Sequence, residues 1–201
     1  IVHRLMSYVT EYRMRYEKER AAFLGTRVPS VGTIGNDEVN CNVISPRIYG
    51  EFIYPYERRL AEFYEEGLFY YHSCGNLTPL LEKISTLKGV RKVHVSPWTD
   101  FETAVKRLGG RVILQRRLHP VEDVLLRSVD EMRATLSRVR EIGEGEFMEV
   151  DAGAFQTGPL EKIQAWIRVA RDVFKSAGPE QPIHEAPAHT PGRLPDILQY
   201  T

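Results

Sequence analysis

Apolar positions along this chain recur with a helical period in some stretches and as short strand-like runs in others, and the two alternate. Leu5, Val9, Tyr12 and Tyr16 share one stripe with charges opposite, so residues 1 to about 24 read as a helix that stops at Gly25. A strand over about 28–35 follows. Ser45-Pro46 supplies an N-cap and a proline at the first helical position. Pro55 must bend or restart the helix, because its ring removes a backbone donor and crowds the preceding turn; the pattern then runs on to Glu66. The apolar run from Gly67 enters His72-Ser73-Cys74-Gly75-Asn76 as a strand, and Thr78-Pro79 opens a short helix ending near Gly89. Residues 92–95 form the next strand, and Thr99 or Asp100 caps a helix that ends at Gly109-Gly110. A strand over 111–115 leads to a short helix after His119-Pro120. Ser128 and Glu131 have the spacing of a capping box for a helix to about 142. A last strand covers 147–150, and Gly158-Pro159 opens a helix to 176. Residues 178–201 form a proline-rich tail, expected to be extended, and 1–177 the folded domain.

Five short strands separated by helices imply an α/β protein built from parallel β-α units, since parallel neighbours need a crossover and the crossover is usually helical. Open and closed sheets of this kind both bind ligands at the carboxyl ends of their strands. Polar residues gather there: Asn36-Asp37-Glu38, His72-Ser73-Cys74, Ser96 to Asp100, Gln115-Arg116-Arg117 through His119, and Asp151. Plain turns would explain one or two of these ends; five point to an active-site rim.

Side chains of a strand alternate with period two, so His72 and Cys74 share a face roughly 6–7 Å apart along it. An imidazole and a thiol so placed suit half of a tetrahedral zinc site. Cys41 and Cys74 are the only cysteines, too few for a disulfide framework and consistent with a reducing, cytoplasmic setting. Twenty-seven basic residues balance 27 acidic ones, which leaves no net field to attract nucleic acid or an anionic membrane. No apolar stretch approaches the ~18 residues a membrane span requires. No Gly-x-Gly-x-x-Gly or P-loop run occurs, so dinucleotide and nucleoside triphosphate binding have no support in the sequence. His94, inside a strand, reads as a core or interface histidine. His184 and His189 lie in the tail, where nothing fixes their geometry. Trp98 either walls the pocket or packs beneath the next helix.

Ile44-Ser45-Pro46 with Phe52 and Pro55-Tyr56, His72-Ser-Cys74-Gly75-Asn76, Asp100 with Ala104 and Leu108-Gly109, and Val112 to Gln115 with Leu118-His119-Pro120 resemble, in this order, the carboxyl-terminal part of the uroporphyrinogen decarboxylase superfamily. The resemblance covers most of residues 30–175 and implies the later part of a (β/α)8 TIM barrel. A whole barrel takes ~250 residues, and the chain opens at Ile1 without methionine. The early strands are therefore expected elsewhere in a longer protein, with completion by a second copy, a homodimer, as the alternative.

The His-x-Cys-Gly form looks like the cobalamin-dependent thiol methyltransferases of this superfamily. The resemblance implies zinc on His72 and Cys74, a thiol acceptor, and a corrinoid on a partner protein. The family's third ligand, a cysteine after the last strand, is replaced here by Asp151-Ala152-Gly153, so Asp151 is expected to supply an oxygen ligand, with Glu149 or Cys41 as substitutes or no metal at all. Asp37 and Asp100 are expected on the pocket rim, Asp37 orienting substrate or accepting a proton; Trp98, Gln115 and Arg116 are expected to meet the small-molecule substrate. The decarboxylase branch is the alternative, with Arg116 and Arg117 pairing with substrate carboxylates; a solvated loop is the plainer reading of those arginines. A non-catalytic scaffold that has lost its third ligand is the other alternative.

Overall fold

The computed structural model describes residues 1–153 and 158–175; the tail over 178–201, with His184 and His189, lies outside the described residues. The strands β1 (Val31–Gly35), β2 (Gly67–His72), β3 (Lys92–Val95), β4 (Ile113–Arg117) and β5 (Met148–Asp151) form one wholly parallel sheet in sequential order. Sequential parallel strands joined by right-handed crossovers put every crossover on one side of the sheet. The helices are α1 (Val2–Phe23), α2 (Pro46–Ile48), α3 (Tyr54–Phe63), α4 (Leu81–Ile84), α5 (Phe101–Leu108), α6 (Val129–Ile142) and α7 (Leu160–Phe174). The result is a five-strand arc of a TIM barrel, with the helices on its outer side.

The two faces of the sheet differ in chemistry. Ile34, Leu68, Tyr71, Val93, Val95 and Leu114 turn outward beneath the helices and are all buried. Thr33, Tyr70, His72, Lys92, His94, Gln115, Arg117, Glu149 and Asp151 occupy the inner face, as the paired registers require. One irregularity makes this sorting work. Gly32 pairs with Leu68 but Thr33 pairs with Tyr70, so Phe69 is an extra residue in β2. Such a bulge lets Leu68 and Tyr71, three apart, face the same side.

Local signals set most helix ends. Ser45 Oγ accepts the Ile48 N–H with Pro46 at the first helical position. Asp100 caps α5 by accepting the Thr103 N–H at 2.8 Å. Ser128 and Glu131 form the expected capping box on α6. Pro55 restarts the helix as α3, after a π-helical segment over Tyr49–Ile53 that sequence gave no reason to expect. Strand boundaries also differ from expectation: β1 begins only at Val31, β4 at Ile113 and β5 at Met148, and the last two run on further than expected. β4 runs to Arg117 and β5 to Asp151, because the guanidiniums and the carboxylate all find partners within the fold, so these charged residues belong to strands. No described helix is long and apolar enough to cross a membrane.

Candidate metal centre

The chain that leaves β1 is sewn onto the turn that follows β2. The Asn36 N–H donates to His72 O at 3.0 Å, the Cys41 N–H donates to Asn76 O at 2.8 Å, and Ser73 Oγ donates to Val39 O at 2.8 Å. Within the loop, Asn40 Nδ2 donates to Asp37 O and its Oδ1 accepts the Asn42 N–H, an Asx turn that fixes the backbone carrying Asp37. Asn40 fits only because residue 75 is glycine: a Cβ there would sit 2.1 Å from Asn40 Cβ. Asp37 is thereby aimed across the gap between the strands.

Its Oδ1 accepts the Cys74 N–H at 3.0 Å and lies 3.3 Å from His72 Nε2. His72 Nε2 is in turn 3.3 Å from Cys74 Sγ. An oxygen, a nitrogen and a sulfur thus converge, with ligand atoms all within 4.8 Å of one another. Strand alternation is not what brings Cys74 to His72. β2 ends at His72, and the bend after it folds the thiol back towards the imidazole. Burial and the neighbouring Asp37 carboxylate push the Cys74 thiol above its ordinary value, so it stays protonated until something displaces the proton. The donors are half-exposed: the side chain of Asp37 is 60% accessible and that of His72 is 21%.

Asp151, expected as the third ligand, is placed differently. Arg117 Nε donates to its Oδ1 at 2.6 Å and Gln115 Nε2 to its Oδ2 at 3.0 Å, so the carboxylate is held within the inner-face network and Asp37 takes the place beside the pair. Glu149 is bound by Lys92 Nζ at 2.5 Å. Cys41 packs against the core, where burial pushes its thiol up. Asp100 is a helix cap, its carboxyl held below the usual range by the Thr103 hydrogen bond. Arg116 faces outward, donating to Ser96 O and Thr99 O with its guanidinium 5.3 Å from the Phe101 ring centroid. Gln115 belongs to the inner face, bonded to Tyr70 and Asp151. Trp98 is exposed and meets His119 edge-on at 5.7 Å.

Sequence reasoning passed over two participants, and a third, His94, is the buried core histidine it expected but lies directly against the site. Tyr70 bonds His72 Nδ1 at 2.9 Å, and burial pushes its phenol up to about 12. Their i, i+2 spacing on one strand was the available signal. Glu57 of α3 is buried under Asn36, accepting from Tyr49 Oη at 2.7 Å and Tyr71 Oη at 3.1 Å. Nothing local betrays it. His94 lies under the site, stacked on His72 with centroids 4.2 Å apart, its Nδ1–H donating to Ser73 O at 2.7 Å.

Burial keeps His94 neutral, with its pKa lowered from 6.5 to about 4. A base whose folded pKa is depressed contributes stability that is whole above its unfolded value and is lost as pH falls through the folded one. In the presence of chelator, wild-type stability minus that of His94→Asn should therefore fall between pH 6.5 and about 4, by on the order of 3 kcal/mol, the subtraction cancelling titrations common to both proteins. The asparagine amide can replace the donor to Ser73, so the variant loses the titration and keeps the bond. Parallel curves for the two proteins would remove His94 as a source of acid sensitivity.

Comparison with known proteins agrees with this architecture. The sequence model of the uroporphyrinogen decarboxylase (URO-D) family matches residues 1–173, and the chain belongs to that family. No curated protein matches the chain.

Proposed function

We propose that this chain supplies the metal and acceptor site of a methyl or alkyl transferase, in which a corrinoid on a partner protein carries the methyl group and a thiol receives it. The observation that carries the reading is the meeting of Asp37 oxygen, His72 nitrogen and Cys74 sulfur within 4.8 Å. A mixed O, N, S donor set suits zinc, which is borderline in softness, and three protein donors match the catalytic pattern that leaves a fourth position for a substrate atom. Zinc bound there would hold the acceptor sulfur as thiolate at neutral pH. Asp37 thus does the work expected of Asp151, giving a harder site than one with two cysteines.

The protein's own residues prepare this arrangement. The loop contacts of Asn40 and Ser73 hold Asp37 over the bend at Cys74, and His94 stacks beneath His72 and fixes its ring plane. The decarboxylase reading draws less support, because the two arginines it relies on are engaged, Arg116 with the Ser96 and Thr99 carbonyls and Arg117 with Asp151.

Metal analysis tests the reading. Protein prepared without chelator should hold about one equivalent of zinc, as expected for a single three-ligand site. Asp37→Ala, His72→Ala and Cys74→Ala should each lower zinc affinity by at least about tenfold. With methylcobalamin and a small thiol as reactants, methyl transfer should fall in parallel. Zinc-free protein, or variants that keep the metal, would sink the transferase and favour a scaffold.

A further inference from the structure

A chain of hydrogen bonds crosses the inner face from β5 to β2, and its direction can be worked out from its far end. Arg117 stays charged, and it donates through Nε and through a terminal nitrogen at 3.4 Å to the two oxygens of Asp151. The Gly153 N–H adds a third donor at 2.9 Å. Asp151 is therefore a carboxylate, and a carboxylate only accepts. Gln115 must turn its Nε2 towards Asp151 Oδ2, since the opposite amide orientation would set oxygen against oxygen. That leaves Gln115 Oε1 facing Tyr70 Oη, so the single phenolic proton goes to the glutamine. Tyr70 Oη can then only accept from His72 Nδ1 at 2.9 Å.

We infer that the Arg117–Asp151–Gln115–Tyr70 chain locks the neutral His72 ring as the Nδ1–H tautomer, with the bare Nε2 accepting from the protonated Cys74 thiol at 3.3 Å. In this chain Tyr70, Gln115 and Asp151 are positioning residues, which act through the imidazole. Use of that lone pair as a metal ligand rests on the reading of the preceding subsection; the tautomer itself does not. Metal-binding histidines generally have the second ring nitrogen donated to a fixed acceptor, which sets which nitrogen faces the metal. Here a phenol takes that part, and it is oriented through two further side chains from two other strands. Asp151 thereby shapes the site without lying beside it.

The test reads the ring nitrogens directly. Long-range proton–nitrogen correlation spectra of the whole chain, recorded metal-free at pH 9 and assigned against His72→Gln, should show His72 with a protonated Nδ1 and an unprotonated Nε2. D151N keeps the size of the side chain but offers an amide donor to Gln115. That allows Gln115 to flip, Tyr70 to donate to Nδ1, and the proton to move to Nε2. The tautomer should therefore invert in D151N and become mixed in Tyr70→Phe, with both proteins folded by circular dichroism. Should D151N unfold, Gln115→Leu serves in its place, because it cuts the chain between Tyr70 and Asp151 and should give the same mixture as Tyr70→Phe. Zinc affinity, measured by competition with a chromophoric chelator, should drop about 10–100-fold in Tyr70→Phe. An Nε2–H ring in the wild-type protein, or an unmoved tautomer in Tyr70→Phe, overturns the inference. Wild-type protein with the stated tautomer but no zinc affinity would uphold the lock and overturn the metal reading alone.

Discussion

Gly75→Ala is expected to destabilise the protein by about 2–4 kcal/mol, the range of severe overpacking, and to abolish the zinc binding proposed above for Asp37, His72 and Cys74. The added methyl carbon would fall 2.1 Å from Asn40 Cβ and 2.3 Å from its Cγ, far inside van der Waals contact. Asn40 is buried and cannot swing away without giving up its bonds to Asp37 O and the Asn42 N–H. The strain therefore reaches the loop that carries Asp37. Paired measurements of denaturant midpoint and zinc stoichiometry check this; Asn40→Gly in the same background should restore part of the stability but not the full affinity, because the room is regained and the Asx turn is lost. Normal stability with intact metal in Gly75→Ala would show that the loop is looser than its packing implies.

Glu57→Ala should have the other large effect. Tyr49 and Tyr71 are fully buried and both donate their hydroxyls to this carboxylate, so its removal leaves two orphaned donors, each costing about 1–3 kcal/mol before any cavity contribution. A loss of about 3–5 kcal/mol is expected. The conservative Glu57→Gln separates charge from packing. Burial raises the Glu57 pKa above 4.5, against the lowering contributed by the three hydrogen-bond donors Tyr49, Tyr71 and Asn36. A group whose folded pKa is raised contributes stability that is full below its unfolded value and declines as pH rises through the folded one. Wild-type stability minus that of Glu57→Gln, followed upward from pH 4.5, should therefore fall. The subtraction cancels the opposite trend from His94. Parallel curves for the two proteins would mean that Glu57 carries no shift.

Features fixed within a few residues are legible in the sequence alone. Ser45-Pro46, Asp100 and the Ser128–Glu131 box each satisfy backbone donors locally, and all three start helices as expected. β3 has the expected bounds because Lys92 to Val95 is a short β-branched run between turns. The ends of β4 and β5 were not legible. Whether Arg116 and Arg117 continue a strand depends on the Ser96 carbonyl and on Asp151, both distant in sequence. The same holds for the site. His72 and Cys74 stand out as a pair in the sequence, although the bend after β2 and not strand alternation joins them, and Asp37 becomes their neighbour through contacts of Asn36, Asn40, Ser73 and Gly75 that no local pattern encodes.

The extra residue at Phe69 acts as a phase slip along β2. Ahead of it the strand keeps step with the hydrocarbon layer through Leu68; beyond it Tyr70 and His72 keep step with the reactive surface, while Tyr71 reaches the buried Glu57. Two incompatible demands are thus met by one ribbon. Excising a single amino acid at this dislocation would swap the parity of everything before it relative to everything after, turning Leu68 to water or the imidazole into oil. Length at this point of the chain is consequently as constrained as residue identity at Asp37, His72 and Cys74 themselves.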